Sequence, residues 1–196
     1  QIQQMQEILQ KSLIKIKKLE QELATAKENT NAPKENIAII GTGVRLAANI
    51  TSTKKLWNLL KEQKSVITKI PLDRFDVSEI YHTDASIAGK SVSQHGAFLS
   101  NDIRAFDADF FGISPREAKA IDPLQRMILE VVYEAIENAG IASDDLKGTA
   151  TGVFVALGNS DYIQARFRSG NLETIDIYDT TGIPFGTACG RVSYLY

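Results

Sequence analysis

The chain has 196 residues, 43% hydrophobic and 23% charged, enough for one globular domain with an extension. A net charge of -2 excludes nucleic acid and an anionic membrane as obvious partners, and a single cysteine, Cys189, excludes an internal disulfide. With no signal-peptide pattern and no apolar run of about 18 residues, the expected location is a reducing cytoplasm.

Residues 1–29 place Ile2, Met5, Leu9, Ser12, Ile16, Leu19, Leu23 and Ala26 at alternating 3 and 4 spacing. Four heptads of this kind, without Gly or Pro, predict a coiled-coil helix roughly 40 Å long with those eight residues at the interface. Ile8 and Leu13 widen the stripe, so a further partner could dock on its side. The alternative is an amphipathic helix folded back on its own domain. Residues 30–36 are polar, contain Pro33 and read as a linker, which leaves 37–196 as the globular part.

Ile37 to Ile40 reads as a buried strand turning at Gly41-Thr42-Gly43. A dinucleotide-binding turn would require a third glycine where Leu46 stands. Gly89-Lys90-Ser91 imitates a phosphate-binding loop, but Asp84 occupies that loop's first glycine position. Both are read as tight turns, with a nucleotide-dependent oxidoreductase as the distant alternative. Leu56, Trp57, Leu59 and Leu60 predict a short amphipathic helix capped by Thr53, lying over the first strand. Residues 65–100 read as a long ordered loop. His82 and His95 lie in it without companions at metal-ligand spacing, so neither is assigned to a metal.

Phe110 to Gly140 is the most strongly patterned stretch. Ser114-Pro115 and Asp122-Pro123 each combine a capping side chain with a proline that forgoes no helical bond, so two helices meet at an Asp-Pro corner. The second carries Leu124, Ile128, Val131 and Ala135, flanked by Val132, Ile136 and Ala139, as its predicted apolar face, and Gly140 ends it. Phe110 and Phe111 form a wedge that needs burial. Arg116, Asp122 and Arg126 are expected to pin this corner rather than to catalyse. Thr151 to Leu157 reads as a second buried strand, and Arg166 and Arg168 as a solvated helix edge. The small residues Gly186, Thr187, Ala188, Cys189 and Gly190 predict a close approach of two backbones.

The strings IAIIGTG, LWNLL, IPLDRFD, AFDADFFGISPREA, DPLQRMILE, EAIENAG, TGVFV and GRVSY together resemble the beta-ketoacyl synthase domain of modular polyketide synthases. They run in the family's order from Ile37 to Tyr196, and FFGISPREA followed by DPxQR is highly specific. The N-terminal helix is similar to the docking coiled coils that begin many polyketide synthase subunits. The chain departs from the pattern at Leu46-Ala47-Ala48, where Phe-Pro-Gly is usual, and at Ile183-Pro184, where Asn is usual.

The resemblance implies an α/β fold, the N-terminal part of a thiolase-like αβαβα arrangement. It implies decarboxylative Claisen condensation: a cysteine holds an acyl thioester, and a malonyl unit on an acyl carrier protein loses carbon dioxide and attacks it. The family's nucleophile follows GRVSY and its histidines come later, so no catalytic residue is expected within this chain. Cys189 precedes that string and is read as a small buried residue. No cofactor is expected directly, with phosphopantetheine carried by the acyl carrier protein. The implied partners are a second copy through coil and ketosynthase, and the C-terminal docking tail of an upstream subunit. The opening Gln1 and closing RVSYLY suggest a segment of a longer polypeptide, inactive alone.

Overall fold

The computed structural model describes residues 10–12, 14–23, 36–100, 102–168, 170 and 175–196. It divides the chain into two units, Gln1–Ile39 and Ile40–Tyr196. In the first, residues 10–12 and 14–23 are helical and form α1. Of the coil positions, Ser12, Ile16, Leu19 and Leu23 lie on α1 and are exposed. Ile2, Met5, Leu9 and Ala26 lie outside the described residues.

The second unit begins with α2, Thr53–Lys61. Its cap is Ser52 rather than Thr53, because the Ser52 side chain accepts from Lys55 N–H while its own backbone is extended. A short ladder follows, in which β1 (Thr68–Lys69) pairs antiparallel with β2 (His95–Gly96). The loop between them is held locally: Lys90 Nζ donates to Glu79 O at 2.7 Å, and Asp84 N–H donates to His82 Nδ1 at 3.0 Å. Lys90 is thereby tied to its own loop.

Then come α3 (Pro115–Ala120) and α4 (Pro123–Asn138), with the caps and the Gly140 stop where the sequence places them. The remaining α-helices among the described residues are α5 (Tyr162–Arg168), α6 (Asp179–Gly182) and α7 (Gly186–Leu195). Ile121 and Leu129 are fully buried and cluster with Phe111, Ile113 and Val192, which joins the corner to α7. The Phe wedge splits. Phe111 buries and stacks on Phe106, whereas Phe110 stays largely exposed, its ring edge-on to Phe111 and Tyr133.

The face that α4 buries is rotated from the predicted one. Gln125 and Leu129 are its most buried residues, while Leu124 is exposed. Periodicity could not find this line because Gln125 is polar, and only a specific hydrogen-bond set makes its burial favourable.

Neither predicted buried strand forms a ladder among the described residues. Ile37, Ile39 and Ile40 are 94%, 87% and 67% exposed, and Phe154 is 96% exposed. An apolar β-branched run marks a segment that favours a sheet, but a strand exists only when a neighbour satisfies its backbone. Val153, Val155 and Leu157 are half-buried while Phe154 points outward, so one side of this segment is covered and the other is bare. The 196-residue chain is therefore expected to enhance the fluorescence of a hydrophobic dye strongly. A compact, dye-silent chain with one sharp unfolding transition would contradict this.

Glycine matters most at Gly41 and Gly43, where backbone lies directly on α4. A Cβ at Gly41 would sit 2.2 Å from Ala135 O, and one at Gly43 2.2 Å from Val131 O. Between them, Thr42 N–H donates to Asn138 Oδ1 at 3.0 Å. This glycine pair is thus a close contact with a helix. The close approach lies ahead of the C-terminal run of small residues, at Gly182, whose Cβ would lie 2.5 Å from Ala120 O. Gly186 and Gly190 meet nothing, contrary to the expectation from composition.

Candidate functional site

The α3–α4 corner is where distant parts of the chain converge. Asp122 is 2% exposed, caps α4 by accepting from Leu124 N–H at 2.8 Å, and also accepts from Ser160 Oγ. Its own N–H donates to Gly182 O at 2.8 Å. Gln125, one turn in, donates through Nε2 to Gly182 O at 3.0 Å and Pro184 O at 2.9 Å. Thr187 Oγ1 donates to Pro184 O at 2.6 Å, closing the connection onto α7.

Charged pairs brace the outside. Arg191 on α7 donates to Glu117 Oε1 at 2.6 Å and to Thr181 O at 3.2 Å. Arg166 donates to Lys119 O at 3.1 Å and Asp179 Oδ2 at 3.0 Å, so it is a bridging residue rather than the solvated edge the sequence suggested. Tyr162 Oη also donates to Lys119 O. Arg116 pairs with Asp176, and its hydrogen bond holds that carboxyl below the usual carboxylate range. Because the folded form favours the charged Asp176, this pair supports the fold above the ordinary carboxylate pKa, and that support is lost as acid protonates it.

Arg116 and Asp122 therefore perform the pinning role expected of them. Arg126 does so incompletely, since its Nε has no hydrogen-bond partner among the described residues. The residues whose bracing role the sequence did not reveal are Gln125, Glu117 and Arg191. Gln125 carried one usable signal: a long amide within an apolar stripe is stable there only if both its ends are satisfied.

Clefts adjoin the corner. One of about 980 Å³ runs along Leu124, Met127, Tyr162, Ile183 and Phe185 above Asp122. A smaller one of about 280 Å³ lies between Arg45, Arg126 and Glu130. Arg45 grips Glu134 at 2.5 Å and reaches Glu130 only at 3.8 Å. Burial pushes the Glu130 carboxyl up; Arg45 opposes the shift and Glu134 adds to it. A raised folded pKa means that Glu130 contributes stability below its unfolded pKa and loses it as pH rises through the folded value. Glu130→Gln is accordingly expected to leave stability at pH 7 unchanged or higher, with the difference vanishing near pH 4. Denaturant midpoints at the two pH values check this, and a marked loss at pH 7 would contradict it.

Cys189 is half-buried within α7. No cluster of three or more His, Cys, Asp or Glu is placed to hold a metal among the described residues. The corner's polar groups are chiefly committed to holding backbone, so its chemistry is positional.

The family described as "Beta-ketoacyl synthase, N-terminal domain" matches residues 34–196. A non-reducing polyketide synthase of Penicillium canescens is 43% identical over 162 residues, covering 83% of this chain and 6% of that protein. A phenolphthiocerol/phthiocerol polyketide synthase of Mycobacterium tuberculosis is 44% identical over 161 residues, covering 82% of this chain and 9% of that one. Among solved structures, an oxazolomycin ketosynthase domain of Streptomyces albus superposes with a TM-score of 0.69 at 30% identity, over 83% of this chain and 27% of that one. The ketosynthase from module 6 of the bacillaene synthase of Bacillus subtilis gives 0.63 at 27% identity, over 81% and 24%. The chain thus spans less than a tenth of these polyketide synthases and about a quarter of the ketosynthase chains. The fold is that of the thiolase-like ketosynthases. With a family match over residues 34–196 and relatives 43% and 44% identical over 83% and 82% of its length, the chain belongs to the beta-ketoacyl synthase family.

Proposed function

We propose that this chain belongs to a modular polyketide synthase and supplies the N-terminal scaffold of its ketosynthase. The reaction is decarboxylative Claisen condensation. An acyl group is held as a thioester on a cysteine, and a malonyl thioester on an acyl carrier protein loses carbon dioxide to give the attacking carbanion. The thiolate, two histidines and an oxyanion hole would come from residues past Tyr196. The carrier's phosphopantetheine brings the extender, and this chain's own residues brace the scaffold. The observation that carries this reading is the family match over residues 34–196 with a polar corner committed to structure.

A chain extended past Tyr196 is expected to become acylated by an acyl thioester at a cysteine other than Cys189. Acylation at Cys189, or none in the extended chain, would overturn the assignment.

Residues 1–29 act in this reading as a docking coil that pairs two copies and receives the C-terminal tail of an upstream subunit. Its support is the heptad pattern and the exposed apolar face of α1. Sedimentation of residues 1–36 as a strict monomer at high concentration would remove it.

A further inference from the structure

We propose that the cleft of about 280 Å³ between α4 and the segment 102–106 binds a small monocarboxylate with a short apolar tail, its carboxylate held by Arg126. Such a site needs neither the condensation chemistry nor residues 1–29. The other arginines at the cleft are committed. Arg45 is held by Glu134 at 2.5 Å, and Arg104, beside the cleft, donates to both carboxylate oxygens of Asp102 at 2.8 and 2.9 Å. No hydrogen bond or ion pair among the described residues engages Arg126. Its Nε is sealed in the protein without a partner, whereas its terminal nitrogens are not sealed, so the guanidinium meets a ligand through its Nη pair.

The carboxyl groups in the lining are poor counterions for it. Asp102 is taken by Arg104, which holds its carboxyl down to about 2. Burial pushes the Glu130 carboxyl up, although Arg45 and Arg126 oppose the shift. A guanidinium partly withdrawn from water without a counterion is costly, so an added carboxylate gains more here than at an exposed arginine. The rest of the lining selects the kind of anion. Ile103, Ala105, Phe106, Pro123 and Met127 offer apolar side chains to a tail. Two Nη donors in one plane match the two oxygens of a carboxylate. A phosphate dianion would bring its second charge against Asp102 and Glu130. The cleft is smaller than the usual pockets of about 300–1,000 Å³ for drug-sized ligands, so it suits an acid of a few carbons.

Equilibrium dialysis of radiolabelled butyrate against the chain extended past Tyr196 tests this. One butyrate per chain is expected to bind in the millimolar range, with acetate about tenfold weaker because two methylenes are lost. Arg126→Gln should weaken butyrate at least about tenfold. Arg126→Lys, which keeps the charge but loses the fork, should weaken it several-fold. Glu130→Gln should tighten it several-fold by removing a competing carboxylate. Without ligand, Arg126→Gln should leave the denaturant midpoint unchanged or higher, since no partner is lost. A marked drop would show that the protein itself supplies the counterion, and would overturn the site. An unchanged butyrate isotherm in Arg126→Gln, or no binding to the parent, would overturn it as well. Displacement of butyrate by phosphate at equal concentration would overturn the carboxylate class and leave a general anion site.

Discussion

A chain carrying Gly43→Ala is expected to lose roughly 3–5 kcal/mol of stability, because the new methyl would stand 2.2 Å from Val131 O. The obstacle is a helix carbonyl already placed by its own turn, so no side-chain rotation relieves it. The segment must lift from α4, and the Thr42 bond to Asn138 goes with it. Gly190→Ala is the internal control. It lies in α7 with nothing within 4 Å of its added methyl, and the helical preference of alanine over glycine should add up to about 1 kcal/mol. Denaturant midpoints of both variants, in a chain extended past Tyr196, decide the matter. Equal stability of the Gly43→Ala variant and the parent would show that the contact with α4 is not made.

Gln125→Glu should cost a similar amount at pH 7, roughly 3–5 kcal/mol, by placing a buried carboxylate against two carbonyl oxygens. The substitution changes one atom's chemistry and almost nothing of its volume, so packing loss cannot explain the effect. Its pH dependence has a definite sign. The introduced acid has a folded pKa above its unfolded one, so the penalty is full at neutral pH and fades as pH falls through the folded value. A protonated acid regains a donor for Pro184 O. Unfolding midpoints measured between pH 7 and pH 5 should therefore converge toward the parent. A constant deficit across that range would point to misfolding rather than to the lost donor.

These two positions also show how far the chain could be read in advance. Caps and stops were legible because they are local: Ser114, Asp122 and Gly140 act within a turn of where they stand. Gly43 was legible as a glycine that matters, but not why, since Val131 lies far along the chain and only the folded contact brings its carbonyl there. The role of Gln125 is likewise set by distant partners. Its partners at Gly182 and Pro184 are 57 and 59 residues away. Arg166 looked solvated because Asp179 and Lys119 do not adjoin it in sequence.

The sequence by itself determined α3 and α4 with their ends, the coil periodicity and, through FFGISPREA and DPLQR, the family. Those features depend on a few neighbouring residues and on recurring strings. Tertiary structure alone decided which face of α4 is buried, that Ile37 to Ile40 and Thr151 to Leu157 have no ladder among the described residues, and that Asp122 and Gln125 hold the 182–187 segment. Each of those outcomes depends on a partner brought in from elsewhere in the chain. A buried polar group is stable only where such a partner meets it, and a strand exists only where another strand satisfies its backbone.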